Sequence, residues 1–164
     1  MQLEHPLTPC LWFDTQAEEA VSLYCTIFPN SKITDISRFP EAGQDVHGKP
    51  AGSVMTVVFE LNGQPFTALN GGPQFKFDEA VSFQITCNSQ DEVDYYWDAL
   101  TRDGGREVAC GWLKDKFGLS WQVVPSALPR LMAGADRAVS ARVKNAFMQM
   151  KKFDIAALER AAAG

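Results

Sequence analysis

A short polar phrase occurs twice in this chain, and the repeat limits the folds that the chain can adopt. The first copy is DTQAE at residues 14–18, and the second is NSQDE at residues 88–92. Thr15 and Ser89 lie 74 positions apart, and a short apolar run precedes each copy. Solenoid repeats have periods of about 20–50 residues, so this spacing is too long for one of their units. The repeat therefore predicts two copies of one folded module.

Each copy of the phrase has the pattern of a helix N-terminus. Thr15 and Ser89 are favoured N-cap residue types, and each is followed three positions later by a glutamate, Glu18 or Glu92. This arrangement is the capping box. Apolar residues then recur with helical spacing until Pro-Asn in the first copy and Gly-Gly in the second. We expect each module to begin with a strand and a capped helix.

The remainder of each module has the pattern of β-structure. KITDISRF at 32–39 is a predicted strand, and the polar loop 40–52 follows it. Two further runs flank Asn62-Gly63, a strong hairpin signal. In the second half, REVACGWLKD and LSWQVV flank residues 116–118. Each half is therefore predicted to be βαβββ, which gives one α+β structural domain. Its predicted parts are a first module at 1–72, a second at 73–126 and a helical extension at 127–164.

The predicted extension lies outside the duplication. Apolar spacing predicts an amphipathic helix from Asp136, and Asp154 is the predicted cap of a final short helix. We expect these helices to pack on their own chain, and contact with another subunit is the alternative.

Composition excludes several classes of function. The net charge is −5, from 20 acidic and 15 basic residues, and no basic run is present to neutralise nucleic acid phosphates. No apolar stretch approaches the ~20 residues that cross a bilayer, and the first residues lack a signal-peptide pattern. The four cysteines have no C-x-x-C spacing and are expected to be reduced thiols. We therefore expect a cytoplasmic protein with neither nucleic acid nor membrane as a partner.

Several longer segments resemble one known family. They are CLWFDTQAEEAVSLYCTIFPNSKI, FTALNGGPQFKF, SFQITCNSQDEVDYYWDAL, CGWLKDKFGLSWQVVP and the terminal MQMKKFDIAALERA. The chain resembles the vicinal oxygen chelate superfamily, which includes glyoxalase I, extradiol dioxygenases, and bleomycin- and fosfomycin-resistance proteins. Within it, the chain is similar to PhnB-like proteins, often labelled 3-demethylubiquinone-9 3-methyltransferase. The resemblance implies a U-shaped mixed sheet with a cavity on its concave face, and a homodimer.

The resemblance also implies four positions where metal-dependent members carry His, Gln or Glu. The final D-x-x-G-x-x-x-E pattern of the family corresponds to residues 115–122 and places Gln122 at the carboxylate position. The same spacing after Gly63 leads to Thr67, and the first-strand positions are Ser82 and Thr8. Hydroxyl and amide oxygens are weak ligands for Zn²⁺, Ni²⁺ or Fe²⁺. We therefore predict no metal site and no cofactor.

Strand alternation then predicts which side chains line the cavity, because successive residues point to opposite faces. The predicted cavity is rich in aromatic, amide and hydroxyl groups, and it would suit a neutral, partly apolar small molecule. In the alternative interpretation, the same amides bond to one another inside a sealed core. Lys114 is expected to be solvated at a hairpin tip, with contact to an anionic ligand as the alternative. The candidate cavity residues are Thr8, Trp12, Thr67, Asn70, Ser82, Gln84, Trp112 and Gln122.

Three functions follow in order of preference. The first is a protein that binds a small organic molecule without a catalytic metal, and no catalytic residue is predicted for it. The second is a divalent-metal-dependent lyase, isomerase or dioxygenase of the glyoxalase type. The third is the methyltransferase of the family label, which the sequence supports least, since it lacks both the doubly wound rhythm and a Gly-rich first loop.

Overall fold

The chain folds into two compact units, divided between Lys76 and Phe77, four residues after the predicted end of the first module at residue 72. The structure is a computed structural model that describes residues 7–133 and 136–164. Each unit contains a four-stranded mixed sheet with a helix packed on one face. The predicted pair of βαβββ modules in an α+β fold is confirmed. No helix in the described ranges is both long and apolar enough to span a membrane.

The first unit pairs its first and last strands in parallel. The sheet order is β1-β4-β3-β2, and the other two pairings are antiparallel. A short helix lies inside the loop that the sequence predicts to be irregular. The elements are β1 (Cys10–Phe13), α1 (Ala17–Ile27), β2 (Lys32–Arg38), α2 (Gln44–His47), β3 (Val54–Leu61) and β4 (Gln64–Asn70).

The hairpin between β3 and β4 forms as the sequence predicts. Asn62 and Gly63 both have positive φ values, 48° and 81°, and Leu61 pairs with Gln64 across this two-residue turn. A turn with two positive φ values matches the twist of the flanking strands. Strand alternation then turns Val57 and Phe59 toward α1, and both are fully buried.

The second unit repeats this topology with order β5-β8-β7-β6, and β5 and β8 are parallel. REVACGWLKD forms two short strands, because residues 108–111 leave the sheet between them. The elements of the module are β5 (Phe83–Cys87), α3 (Gln90–Thr101), β6 (Arg106–Glu107), β7 (Trp112–Lys114) and β8 (Ser120–Pro125). The extension contributes α4 (Ala127–Met132), α5 (Arg137–Phe147) and α6 (Ile155–Ala163).

The two copies of the repeated phrase cap their helices differently. Ser89 forms the predicted cap of α3: its Oγ accepts from the amide of Glu92 at 3.2 Å, and Glu92 Oε2 accepts from the amide of Asn88 at 2.7 Å. The predicted cap at Thr15 is wrong, because α1 begins at Ala17 after Gln16, whose side chain makes no capping bond.

A side chain from β4 caps α1 instead. Asn70 Oδ1 accepts from the amide of Ala17 at 2.9 Å, and Asn70 Nδ2 donates to the carbonyl of Val54 at 3.0 Å. Asn70 is buried at the end of β4, next to the start of the helix. It therefore satisfies one of the free amides of the first helical turn from a distant part of the chain.

The C-terminal extension packs on its own chain, as predicted, within the second unit. Val143, Phe153 and Leu158 form its buried cluster. The amides of Cys110 and Gly111 each donate at 2.8 Å to the carbonyls of residues 150 and 151. The Gln90 side chain bonds to Phe153 and Ile155 at 3.0 and 2.9 Å.

The predicted cap at Asp154 is present, and Asp136, where the sequence predicts the preceding helix to begin, caps that helix as well. Asp136 accepts from the amide of Val139 at 2.8 Å, and Asp154 accepts from that of Ala157 at 2.9 Å.

We predict that Asn70→Ala destabilises the protein more than the loss of an ordinary cap does. The substitution removes the cap of α1 and leaves the Val54 carbonyl without this donor, so we expect a loss of about 2–3 kcal/mol. Ser89→Ala is the control and should cost about 1 kcal/mol. Urea unfolding followed by circular dichroism measures both. A loss for Asn70→Ala no larger than that for Ser89→Ala would contradict the role assigned to this side chain.

A second prediction compares two glycines in the second unit. Gly111 and Gly118 have φ values of +81° and +88°. A Cβ at Gly118 would meet nothing within 4 Å, whereas one at Gly111 would clash with Phe153 Cε2 and lie 2.8 Å from the carbonyl oxygen of Val123. Gly118→Ala should therefore cost only the left-handed backbone penalty of about 1–2 kcal/mol. Gly111→Ala should cost about 1–3 kcal/mol more, because Phe153 and the Val123 backbone carbonyl must both move. Equal losses in urea unfolding would show that the extension does not pack tightly here.

Candidate functional site

One face of the second sheet is covered by α3, and the other presents polar and aromatic side chains. Leu113, Trp121 and Val123 are buried on the α3 side. On the opposite face, Gln84 pairs with Gln122, and Gln122 pairs with Trp112. Residues that pair directly across strands share a face, so these three side chains form one row. We call this the amide row; Gln122 and Trp112 are half-buried, and Gln84 is exposed.

The two family ligand positions of the second module lie together on this face. Gln122 Nε2 donates to Ser82 Oγ at 2.8 Å. The bond turns the amide nitrogen of Gln122 toward the hydroxyl. This pair can donate and accept hydrogen bonds, but it carries no charge.

A second row runs beside the amide row and is charged. Arg106 pairs with Lys114, and Lys114 pairs with Ser120. Glu79 Oε1 lies 2.8 Å from Lys114 Nζ and 3.7 Å from the Arg106 guanidinium. We call Arg106 and Lys114 the cationic pair.

The segment 77–80 reaches the second row at two points. Besides the Glu79 contacts, Ser120 Oγ donates to the carbonyl of Asp78 at 3.1 Å, and Ser120 is fully buried. The hydrogen bond from Lys114 and its positive charge hold the pKa of Glu79 below its usual value.

The expectation that Lys114 is solvated at a hairpin tip is wrong. Its side chain is only 17% exposed, and its neighbour Asp115 is 3% exposed. Asp115 Oδ1 accepts from the amides of Phe117 and Leu119, and Oδ2 accepts from the Trp121 indole at 2.9 Å. The buried Asp115 carboxylate accepts three hydrogen bonds and so fixes the conformation of this turn. Lys114 consequently lies on the sheet rather than beyond its end.

The first sheet also has a face turned away from its helix. Cys10 pairs with Thr67, and Trp12 pairs with Leu69. Thr8 precedes β1 by two positions and is exposed. Trp12 and Thr67 thus share this face of the first sheet, whereas Thr8 lies outside the strand.

Trp12 is held against a turn of its own unit. Its Nε1 donates to the carbonyl of Gly72 at 2.8 Å, and its ring makes an edge contact with Phe75, with centroids 5.0 Å apart. A Cβ at Gly71 would clash with the Trp12 ring, so the ring lies directly on this glycine. Part of the indole surface is therefore already buried by contacts within the protein.

Asn70 lies on the other side of the first sheet, and the prediction that it lines the same cavity face as Thr67 is wrong. Residues 67 and 70 are an odd number of positions apart in β4, so they point to opposite faces. Asn70 instead borders a cavity of about 300 Å³ between the start of α1 and the loop before β3. Asp14, Glu18 and Lys49 are charged residues of its lining.

The residues at the four family positions do not fit a catalytic divalent metal. Thr8, Thr67, Ser82 and Gln122 offer hydroxyl and amide groups, and none carries an imidazole, thiolate or carboxylate. In the part of the chain that the structure describes, no three His, Cys, Asp or Glu side chains are grouped to hold an ion. His47 lies against Phe39 in the first unit, and its Nδ1 accepts from the amide of Lys49. His5 lies outside the described residues.

Comparison with known families identifies the relatives of the chain. The profile of a family described as 3-demethylubiquinone-9 3-methyltransferase matches residues 5–124. The chain belongs to this family. It is the PhnB-like branch of the vicinal oxygen chelate superfamily, in agreement with the motifs of the sequence. The profile ends inside β8, so α4, α5 and α6 lie beyond the matched region.

Solved structures agree with this assignment. A PhnB protein from Bacillus cereus that carries the same family description is 32% identical over 74% of this chain and 100% of its own, with a TM-score of 0.66. A protein from Pseudomonas aeruginosa is 19% identical over 74% of this chain and 98% of its own, with a TM-score of 0.58, and shows the same fold. A search of curated proteins found no match.

Sequence reasoning named Lys114 only in an alternative, as a contact of an anionic ligand, and it missed Arg106. Trp112 and Lys114 are two positions apart, so strand alternation alone would have put them on one face. Arg106 had no such signal, because its register with Lys114 depends on the break at residues 108–111.

We predict that Lys114→Met raises the pKa of Glu79 toward its ordinary value of 4.5. A folded pKa below the unfolded one stabilises the protein above the unfolded pKa, and this contribution is lost as the pH falls through the folded pKa. The relevant window therefore lies below pH 4.5. Carboxyl ¹³C NMR titration measures the shift, with Lys116→Met as the control. An unchanged pKa in Lys114→Met would show that the contact does not persist in solution.

Proposed function

We propose that this protein binds a small, partly apolar organic molecule on the open face of the second sheet, without a catalytic metal. The observation that carries the proposal is the amide row, in which an indole and two carboxamides lie side by side on three adjacent strands. Gln122 lies between Trp112 and Gln84 and is itself oriented by Ser82.

The chemistry of the row suits an aromatic or amphipathic ligand. An indole face packs against flat apolar groups, and its stacking is worth about 0.5–1.5 kcal/mol beyond area burial. Each carboxamide offers both donors and acceptors, so a ligand carbonyl or hydroxyl can be bonded without a charge. Binding sites of this kind combine apolar surface with a few oriented polar groups.

The donor chemistry of the family positions supports binding without a metal. Ser82 and Gln122 stand where metal-dependent members carry stronger ligands, and here they bond to each other. Holding a molecule without transforming it, as the bleomycin-resistance relatives do, is the simplest role for such a face. The homodimer and the cytoplasmic location predicted from the sequence are part of this proposal.

The face with Thr8, Trp12 and Thr67 is the second candidate surface for the ligand. Trp12 is already bonded to Gly72, which leaves this face less indole surface to offer than the amide row has. It is therefore ranked below the second sheet.

The family description names methyl transfer, which is the third candidate function. Methyl transfer from S-adenosylmethionine usually occurs on a doubly wound α/β sheet. The two sheets here are mixed and four-stranded, and the strands within each sheet are joined largely by hairpins. Addition of S-adenosylmethionine in the thermal assay described below tests this function directly.

The test uses 2-naphthamide, a neutral bicyclic amide, as the probe. At a probe concentration equal to its Kd, we expect the melting temperature to rise by about 1 °C, because ligand binding stabilises only the folded state. Trp112→Leu should abolish the rise, and Tyr95→Leu, an exposed aromatic on α3, should retain it. Trp12→Leu tests, in the same assay, whether the probe binds to the first sheet instead. A rise that survives in Trp112→Leu would refute binding at the amide row.

Metal dependence is tested in the same assay with Ni²⁺, Zn²⁺, Mn²⁺ and Fe²⁺. We expect no response from the wild type and a Zn²⁺ or Ni²⁺ response from the double variant Ser82→His/Gln122→Glu. That variant brings an imidazole and a carboxylate together where a hydroxyl and an amide now meet. Stoichiometric metal in wild-type protein purified without chelator or affinity tag would overturn the metal-free proposal and favour the glyoxalase-type enzyme.

A further inference from the structure

Two cations stand directly beside the amide row. Arg106, Lys114 and Ser120 are paired in register across β6, β7 and β8, so their side chains share the open face. Lys114 is two positions from Trp112 on the same strand, which separates them by about 7 Å. A small aromatic molecule can span this distance, with its ring on Trp112 and a polar end at Lys114.

The side that Arg106 faces is established by its neighbour on β6. Glu107 pairs with Leu113 and accepts from the Trp97 indole of α3 at 2.9 Å. Glu107 therefore lies on the α3 side, and Arg106 must point to the opposite, open face. Both members of the cationic pair are thus directed to the face that carries Gln84, Trp112 and Gln122.

A carboxylate of the chain itself now occupies this position. Glu79 bridges the cationic pair from a segment that belongs to no helix or strand. Lys114 is mostly covered by protein, so its ammonium depends on a nearby anion more than an exposed lysine would. Glu79 is 54% exposed, and such exposed ion pairs are individually weak.

We propose that Arg106 and Lys114 form an anion subsite of the ligand surface, and that the ligand is an aromatic or amphipathic carboxylate that displaces Glu79. The inference rests on the proposed function, because it adds a charged end to a molecule whose body lies on the amide row. Guanidinium and ammonium groups recognise carboxylates by charge-assisted hydrogen bonds. Glu79 therefore competes with the ligand, and an anionic ligand group can replace it where a neutral group would leave the cations without a counter-charge.

The alternative role of Glu79 is that of a permanent anchor for the segment 77–80. The two roles predict different effects when Glu79 loses its charge. A competitor, once removed, leaves the subsite open to the ligand, whereas an anchor contributes nothing to ligand selectivity. Ser120 Oγ donates to the backbone carbonyl of Asp78, so this hydrogen bond does not depend on the Glu79 side chain and is retained in a Glu79 variant.

The experiment compares 2-naphthoate with 2-naphthamide, which share a ring system and differ in charge. Binding is measured by calorimetry at low salt with the full chain. We expect Glu79→Gln to bind 2-naphthoate about fivefold more tightly than wild type does, with 2-naphthamide unchanged. Lys114→Met and Arg106→Gln, tested separately, should each weaken the binding of 2-naphthoate about tenfold. Its affinity should then approach that of 2-naphthamide. Glu159→Gln and Lys116→Met are controls with the same charge changes at other exposed positions.

A second readout follows the displaced side chain. When 2-naphthoate binds to wild type, the Glu79 carboxyl should lose its contact with Lys114 and its ¹³C titration should move toward that of an ordinary glutamate. 2-Naphthamide should leave the titration unchanged. Circular dichroism and melting temperature establish that each variant is folded.

The outcomes separate this inference from the proposed function. If both probes bind through Trp112 with affinities that Glu79→Gln, Lys114→Met and Arg106→Gln leave unchanged, the anion subsite is refuted and the proposed function stands. If neither probe binds wild type or Glu79→Gln, the proposed function fails, and the subsite fails with it. Tighter binding of 2-naphthoate alone in Glu79→Gln, with loss in Lys114→Met, supports the competitor role.

Discussion

In each unit, the parallel pairing of the first strand with the last determines what the sheet can present to a ligand. A parallel pair requires a crossover connection, and in both modules that crossover begins with a helix that covers one face. The buried apolar side chains must turn toward this helix, and alternation sends their neighbours to the opposite face. Gln84, Gln122 and Trp112 lie together because Trp121, Val123 and Leu113 are needed on the other side.

The two modules share this plan and reach it with different local interactions. In the second, Ser89 and Glu92 cap the helix from adjacent sequence. In the first, the cap comes from Asn70, more than fifty positions away, so the stability of α1 depends on β4 being in place. A local cap can act as soon as its helix forms, whereas this one requires the module to be assembled.

The sequence predicted those features whose cause is local or periodic. The Asn62-Gly63 hairpin, the Ser89 cap and the Asp154 cap follow from residue types at short spacing. The open face of each sheet follows from alternation once the register is known. Thr15 and Lys114 were misplaced because their surroundings come from elsewhere: Asn70 replaces the first as a cap, and Asp115 folds the turn that draws the second onto the sheet. Arg106 could not be placed at all without the break at residues 108–111.

One edge strand of each sheet, β2 or β6, has a consequence for the behaviour of the protein in concentrated solution. The edge strand β2 pairs with β3 through two register shifts, and the edge strand β6 is only two residues long. In the residues that follow β6 in the chain, the amides of Cys110 and Gly111 donate to the carbonyls of residues 150 and 151 of the extension. Regular unpaired edges recruit strands from other molecules, while bulged, short or covered edges do not. The extension beyond the family match thus helps to protect one sheet against intermolecular β-pairing and aggregation.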